Sequence, residues 1–149
     1  MKRFKIISFC AIVLVSLVSC GDDSDLISKM NLNQPTLEWG ASMDEIASSM
    51  QQYKLMNSDT QNLYYAGNGM EHAISYYFVD GKLETCLVTV SSCVITQDAL
   101  EALLKSYTFI GEQNNVKIYC RESTNTLAAI SKRQISGSDY YNIGYSRIE

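Results

Sequence analysis

Residues 76–85 read YYFVDGKLET, and this stretch decides the fold. Asp80-Gly81 lies between two alternating apolar runs. A two-residue type I′ hairpin turn wants positive φ at both central positions, which Asp and Gly tolerate. The turn predicts an antiparallel hairpin pairing Val79 with Lys82, Phe78 with Leu83, Tyr76 with Thr85 and Ile74 with Leu87. Successive strand residues face opposite ways. This register therefore collects Ile74, Tyr76, Phe78, Leu83 and Leu87 on one face, and Ser75, Tyr77, Glu84 and Cys86 on the other.

Upstream, Ser42-Met43-Asp44-Glu45 matches a capping box, in which the Ser oxygen and the Glu carboxylate satisfy exposed helix N–H groups. Met43, Ile46, Ala47 and Met50 follow at helical spacing, so a short amphipathic helix is expected over 43–52. Extended segments are expected at about 61–66, 71–79 and 82–91. The second half follows the same order. Thr96 is a helix-capping residue type, and Ala99, Leu100, Leu103 and Leu104 form one helical stripe. Extended runs near 107–111 with 116–121, then 126–133 and 140–148, are separated by turns at 111–115 and 136–139. The period is near 55 residues. The predicted class is α+β: an antiparallel sheet with two short helices on one face, built as two helix–strand–strand–strand repeats.

The N-terminus has a different character. Lys2, Arg3 and Lys5 precede an apolar run over residues 6–18, which ends at Leu17-Val18-Ser19-Cys20. Thirteen apolar residues are too few to span a hydrocarbon core, which needs about 20; a basic start and a small-residue end read as a secretory signal peptide. The tetrapeptide resembles the bacterial lipobox, and that resemblance implies that Cys20 receives a diacylglyceryl group once residues 1–19 are removed. Stable anchoring needs more than one acyl chain, and a diacylated, N-acylated cysteine supplies three. The expected organisation is a signal peptide at 1–19, a flexible acidic tether at 20–34, and one domain at 35–149 starting from Pro35. The acids Asp22, Asp23 and Asp25 have two readings: a solvated tether, or a sequence that resembles the export tag of cell-surface lipoproteins in some Gram-negative lineages.

The tandem helix-plus-meander order, with LEWGASMDEIASSM at 37–50 and ALEALLKSYTFIGE at 99–112, resembles the β-lactamase-inhibitor-protein architecture. Small lipoproteins of outer-membrane assembly share that architecture. The resemblance spans roughly residues 35–149 and carries over no binding residue.

Charge narrows the partners. The chain has 12 Lys and Arg against 16 Asp and Glu; removing Lys2, Arg3 and Lys5 leaves nine basic residues and a formal charge of −7. Nucleic acid demands a basic footprint, so it is excluded as a partner. So is a domain lying flat on anionic lipid.

The residues offer no catalytic set. His72 is the single histidine, and strand parity puts it on the Ile74/Tyr76 face near the start of a strand, as a structural or half-exposed residue and not a catalytic base. Zinc needs three or four N/S ligands, and no Cys-x-x-Cys or His pair is present. Gly67-Asn68-Gly69 lacks the lysine and the following helix of a phosphate loop and reads as a turn. No enzyme, metal or cofactor is expected. Once Cys10 and Cys20 are set aside, Cys86, Cys93 and Cys120 remain, and parity places Cys86 outward and Cys120 inward with Val116 and Ile118. A Cys86–Cys120 bridge is therefore not expected.

Tyrosine is abundant, with ten residues. Taking Leu63, Ile74, Ile118 and Ile143 as inward leaves Tyr64, Tyr77, Tyr119 and Tyr140 outward, with Lys117 and Arg121 beside them. Aromatics favour strands in any case. An exposed set of rings also makes a contact surface of large rigid area with polar tips. The expected function is a lipid-anchored binding module of the cell envelope, at the outer membrane, meeting an envelope protein through this tyrosine-rich face. The alternatives are a glycan-binding accessory lipoprotein or, with paired carboxylates in a cleft, a glycan hydrolase.

Overall fold

The computed structural model describes residue 32 and residues 34–148. The expected signal peptide at 1–19, Cys20 and the acids at 22–25 lie outside the described residues. The elements are α1 (Met43–Ser49), β1 (Leu55–Ser58), β2 (Asn62–Ala66), β3 (Glu71–Val79), β4 (Lys82–Ser91), α2 (Gln97–Leu103), β5 (Thr108–Gln113), β6 (Val116–Arg121), a single 3-10 turn (Glu122–Thr124), β7 (Thr126–Ile135) and β8 (Ser138–Arg147). The eight strands form one sheet in the order β1-β2-β3-β4-β8-β7-β6-β5, with every neighbouring pair antiparallel. This is an α+β protein, mostly sheet, with two short helices.

Local chemistry explains the element boundaries. The capping box forms as expected: the Ser42 side chain accepts from the Glu45 N–H, and the Glu45 carboxylate accepts from the Ser42 N–H at 2.7 Å. Thr96 caps α2 by accepting from the Ala99 N–H. Helix α1 ends at Ser49, earlier than the apolar spacing indicated, and Tyr53 then turns its ring onto the core. Three hairpins turn on residue pairs that both have positive φ: Asp80-Gly81 (50° and 73°), Asn114-Asn115 (53° and 61°) and Ser136-Gly137 (49° and 82°). Strand β1 was not expected, because Leu-Met-Asn-Ser shows no alternation and all four residues are exposed.

Residues directly opposite one another on neighbouring strands share a face. One rung runs Tyr65–Ile74–Val88–Ile143–Ile130 and the next Leu63–Tyr76–Cys86–Tyr145–Ala128. Every member is buried, and together with Ile46 and Met50 from the α1 region and Leu100 and Leu104 from the α2 region they form the core. Contacts fix both helices to this face. The Tyr76 hydroxyl donates to the Met50 sulfur at 3.2 Å, and Lys117, which lies across from Ile130, pairs with Glu101 of α2 at 2.6 Å. The entering chain crosses the same face. Gly40 N–H donates to the Leu83 carbonyl, Leu83 N–H to the Ala41 carbonyl, and the Trp39 indole to the Thr126 hydroxyl at 2.9 Å. Leu32, inside the stretch expected as tether, already packs against the core.

The hairpin register differs from expectation past its first two pairs. Val79↔Lys82 and Phe78↔Leu83 hold, but the pairing shifts at Glu84, so that Tyr77 meets Thr85 and Tyr76 meets Cys86. A bulge inserts one residue and reverses the parity of everything beyond it. Cys86 is therefore in the core and fully buried, while Leu87 lies on the other face. Burial pushes the Cys86 thiol well above its ordinary range. A second shift between Glu71 and Ala73 removes His72 from the core face: it is exposed, and Glu71 is buried in its place. Gly67 is needed beside it, because a Cβ there would sit 1.8 Å from the Glu71 carbonyl oxygen.

Candidate binding face

With both helices and the entering chain on one side, the other side of the sheet is open. Three consecutive rungs span it: Asn62–Tyr77–Thr85–Ser146–Leu127–Cys120, Tyr64–Ser75–Leu87–Gly144–Ala129–Ile118, and Ala66–Ala73–Thr89–Asn142–Ser131. None of these residues carries a charge. Small side chains keep the middle flat, and Thr89 donates its hydroxyl to the Asn142 side-chain oxygen at 3.0 Å, which settles the polar groups there. Leu87, Leu127 and Ile118 add half-buried apolar surface.

Of the residues expected on this face, the structure brings two together. Tyr64 and Tyr77 pack edge to face with ring centroids 6.2 Å apart. Burial, then its contact with Tyr64, raises the Tyr77 hydroxyl above the usual tyrosine range. Tyr140 is on the same face but elsewhere. It pairs with Ser91, six residues along β4 from the Thr85 rung, which at 3.3 Å per residue is about 20 Å away. Its ring lies against His72, centroids 5.2 Å apart and tilted by 49°. The aromatic surface is thus two separate patches joined by a neutral strip.

The other three expected residues are on the covered side. Tyr119 lies across from Ala128, Lys117 from Ile130 and Arg121 from Thr126, all on the helix face. Tyr119 is only 6% exposed. Burial and its hydrogen bond to Glu101 push its hydroxyl up to about 12. Burial alone would raise Glu101, but hydrogen bonds with Lys117, Gln97 and Tyr119 outweigh it and hold the carboxyl below its ordinary value. Lys117 is raised by the same bond with Glu101. Arg121 sits over the Tyr107 ring, 5.7 Å from its centroid. These groups tie α2 and the segment after it to β6, on the covered side of the sheet.

The reversal on β6 has a physical cause. In Val-Lys-Ile-Tyr-Cys-Arg the apolar residues alternate with the long polar ones, and hydrophobicity alone turns Val116, Ile118 and Cys120 inward. The core face near this edge is instead filled by the stems of Lys117 and Arg121 and by the Tyr119 ring, whose polar ends reach Glu101 and the surface. Cys120 is consequently on the open face, half-buried, and Cys93 is exposed; all three described cysteines are free thiols.

The neutral strip of Ser75, Leu87, Ala129, Gly144 and Asn142 was missed at the sequence level. The signal that could have found it is Glu84, a charge in the middle of an apolar alternation, which marks the bulge. Among the described residues there is no group of three or more His, Cys, Asp or Glu able to hold a metal ion, and no helix long and apolar enough to cross a membrane. Compared with known proteins, the chain matches no family model, no curated protein and no solved structure.

Proposed function

We propose that this chain is a lipid-anchored, non-catalytic binding module of the bacterial cell envelope, and that the open sheet face meets an envelope protein. One observation carries the reading: three adjacent rungs without a charged side chain, in a chain rich in acids, on the side of the sheet that neither helix covers. A solvated sheet face ordinarily alternates in charged residues, whereas the centre of a protein interface is depleted in them and enriched in tyrosine. The entering chain crosses the opposite face, so an anchor on Cys20 leaves the open face accessible.

The anchor reading rests on the basic start, the apolar run and Leu17-Val18-Ser19-Cys20. It places the protein at the outer membrane, with Asp22, Asp23 and Asp25 as tether or export tag. Each helix is followed by four antiparallel strands, and the two capping residues Ser42 and Thr96 are 54 positions apart. This order supports two copies of one helix-plus-meander unit joined along β4 and β8.

The test uses full-length protein extracted from membranes in mild detergent, comparing wild type with Leu87→Lys and Ala129→Lys. Each variant should fold and lose its co-purifying envelope protein; retention of the same partner by both would overturn the reading. The glycan alternative calls for two or three coplanar rings, and the Tyr64–Tyr77 pair, edge to face at 87°, offers a sugar one ring face at a time. It predicts a carbohydrate-array signal that Tyr77→Ala removes while Ala129→Lys does not.

A further inference from the structure

The open face is not uniform along its length. Past the three neutral rungs lies a fourth, Ser91–Tyr140–Arg133, on β4, β8 and β7. It shares the face of the strip, since its residues stand two positions along their strands from Thr89, Asn142 and Ser131. Among the described residues no strand pairs with the outer edge of β7 past Ile130, and Arg133 is exposed there. The Tyr140 ring reaches across β4, over the small Ser91 side chain, to His72 of β3 at 5.2 Å between centroids. Neighbouring strands stand about 4.8 Å apart, so this contact bridges two strand spacings and joins His72 to the rung.

Charge at this end is unbalanced. Ion pairs hold Lys117, Lys132 and Arg147, and Arg121 lies over the Tyr107 ring. Arg133 has no ion pair among the described residues. The nearest acid in the ladder, Asp139, shares the helix side with Lys132 and pairs with it at 2.7 Å. Glu71, beside His72 in sequence, is buried on the core face. The open-face neighbours of Arg133 on β7 and β8 are Ser131, Ile135, Ser138, Tyr140 and Asn142, and none is acidic.

We propose that this end of the open face binds an acidic side chain of the envelope protein, with Arg133 pairing with the carboxylate and Tyr140 and His72 flanking it, while the neutral strip takes the apolar part of the same segment. Charge complementarity selects this occupant. In a chain with an excess of acid, an uncompensated cation beside a neutral strip is matched by a negative group on the partner. The guanidinium fork meets a carboxylate with two parallel N–H groups, and the Tyr140 hydroxyl and the His72 ring supply further donors on the same row. The proposal rests on the open face being the contact surface, and it adds the chemistry and the orientation of what binds there.

The test uses the full-length protein, crosslinked in cells and then extracted in mild detergent. A photo-crosslinking amino acid in place of Ser131, two residues from Arg133 on the same face, should join to a protein segment that contains Asp or Glu, identified by mass spectrometry. A synthetic peptide of that segment is then the probe. Arg133→Glu should weaken its binding by about tenfold or more, and exchanging the peptide's acid for Lys should restore binding to that variant. Lys132→Glu changes the net charge equally but on the helix side, and should leave binding unchanged. No crosslinked product, a segment without an acid, a crosslink to glycan, or equal effects of Arg133→Glu and Lys132→Glu would each overturn the proposal. The reading beneath it fails differently. Binding that survives both Leu87→Lys and Ala129→Lys overturns that reading, whereas binding lost in those two variants but kept by Arg133→Glu overturns the acidic contact alone.

Discussion

The two faces of this sheet use the same residue type for opposite ends. On the covered face Tyr76, Tyr145 and Tyr119 are buried, and their hydroxyls are pushed above the ordinary tyrosine range by loss of water. On the open face Tyr64, Tyr77 and Tyr140 are only half-buried, and their rings meet one another or His72. The difference shows that an abundance of tyrosine identifies no surface by itself. What separates a buried ring from an exposed one is the parity of its strand, and on β4 one extra residue sets the parity of everything beyond it.

The largest effect expected from this contrast is on stability. Tyr145→Ala should cost about 3–5 kcal/mol, as large-to-small changes in a packed core do, and Tyr64→Ala on the open face should stay within about 1 kcal/mol. Chemical denaturation of the two variants measures both. Equal losses would mean that the faces are not distinct.

Much of the fold was legible in the sequence. Ser42 with Glu45, Thr96, and Asp80-Gly81 each satisfy a local rule that no tertiary contact overrides, and each stands where it was expected. The candidate face was half legible. Tyr64, Tyr77 and Tyr140 face outward as expected. Tyr119, Lys117 and Arg121 do not, because on β6 the side chains that fill the core edge are long and polar-tipped, which a hydrophobic alternation reads backwards. Cys86 and Leu87 exchanged faces at the Glu84 bulge, whose one local sign is that charge inside an apolar alternation, a sign that strand parity alone does not weigh.

A smaller effect is expected from the pair that ties α2 to the sheet. Glu101 is held below its ordinary carboxyl value of 4.5. A depressed acid contributes stability above its unfolded value, and this is lost as pH falls through the folded one. Lys117 and Tyr119 are raised, so their contributions are complete below the unfolded values of 10.5 and 10.0 and are lost as pH climbs beyond them. Lys117→Met should therefore lower stability by about 1 kcal/mol near neutral pH and lose less than wild type on acidification below about pH 4.5. Parallel pH–stability curves would contradict the pairing.

The smallest expected effect on stability is chemical accessibility. Cys93 should react with a thiol reagent in the folded protein, Cys120 more slowly, and Cys86 only after unfolding, in the order exposed, half-buried, buried. Early labelling of Cys86 would move it out of the core and return the hairpin to the unbulged register.

The most direct test of the central claim, that the open face is the contact surface, is photo-crosslinking in living cells from single positions on each side. Leu87 and Ala129 represent the open face, and Ser48 and Asp98 the solvent side of α1 and α2. Discrete crosslinked products from Leu87 and Ala129, with none from Ser48 or Asp98, are the expected result. Products arising only from Ser48 or Asp98 would contradict the claim, as would an open face that yields none.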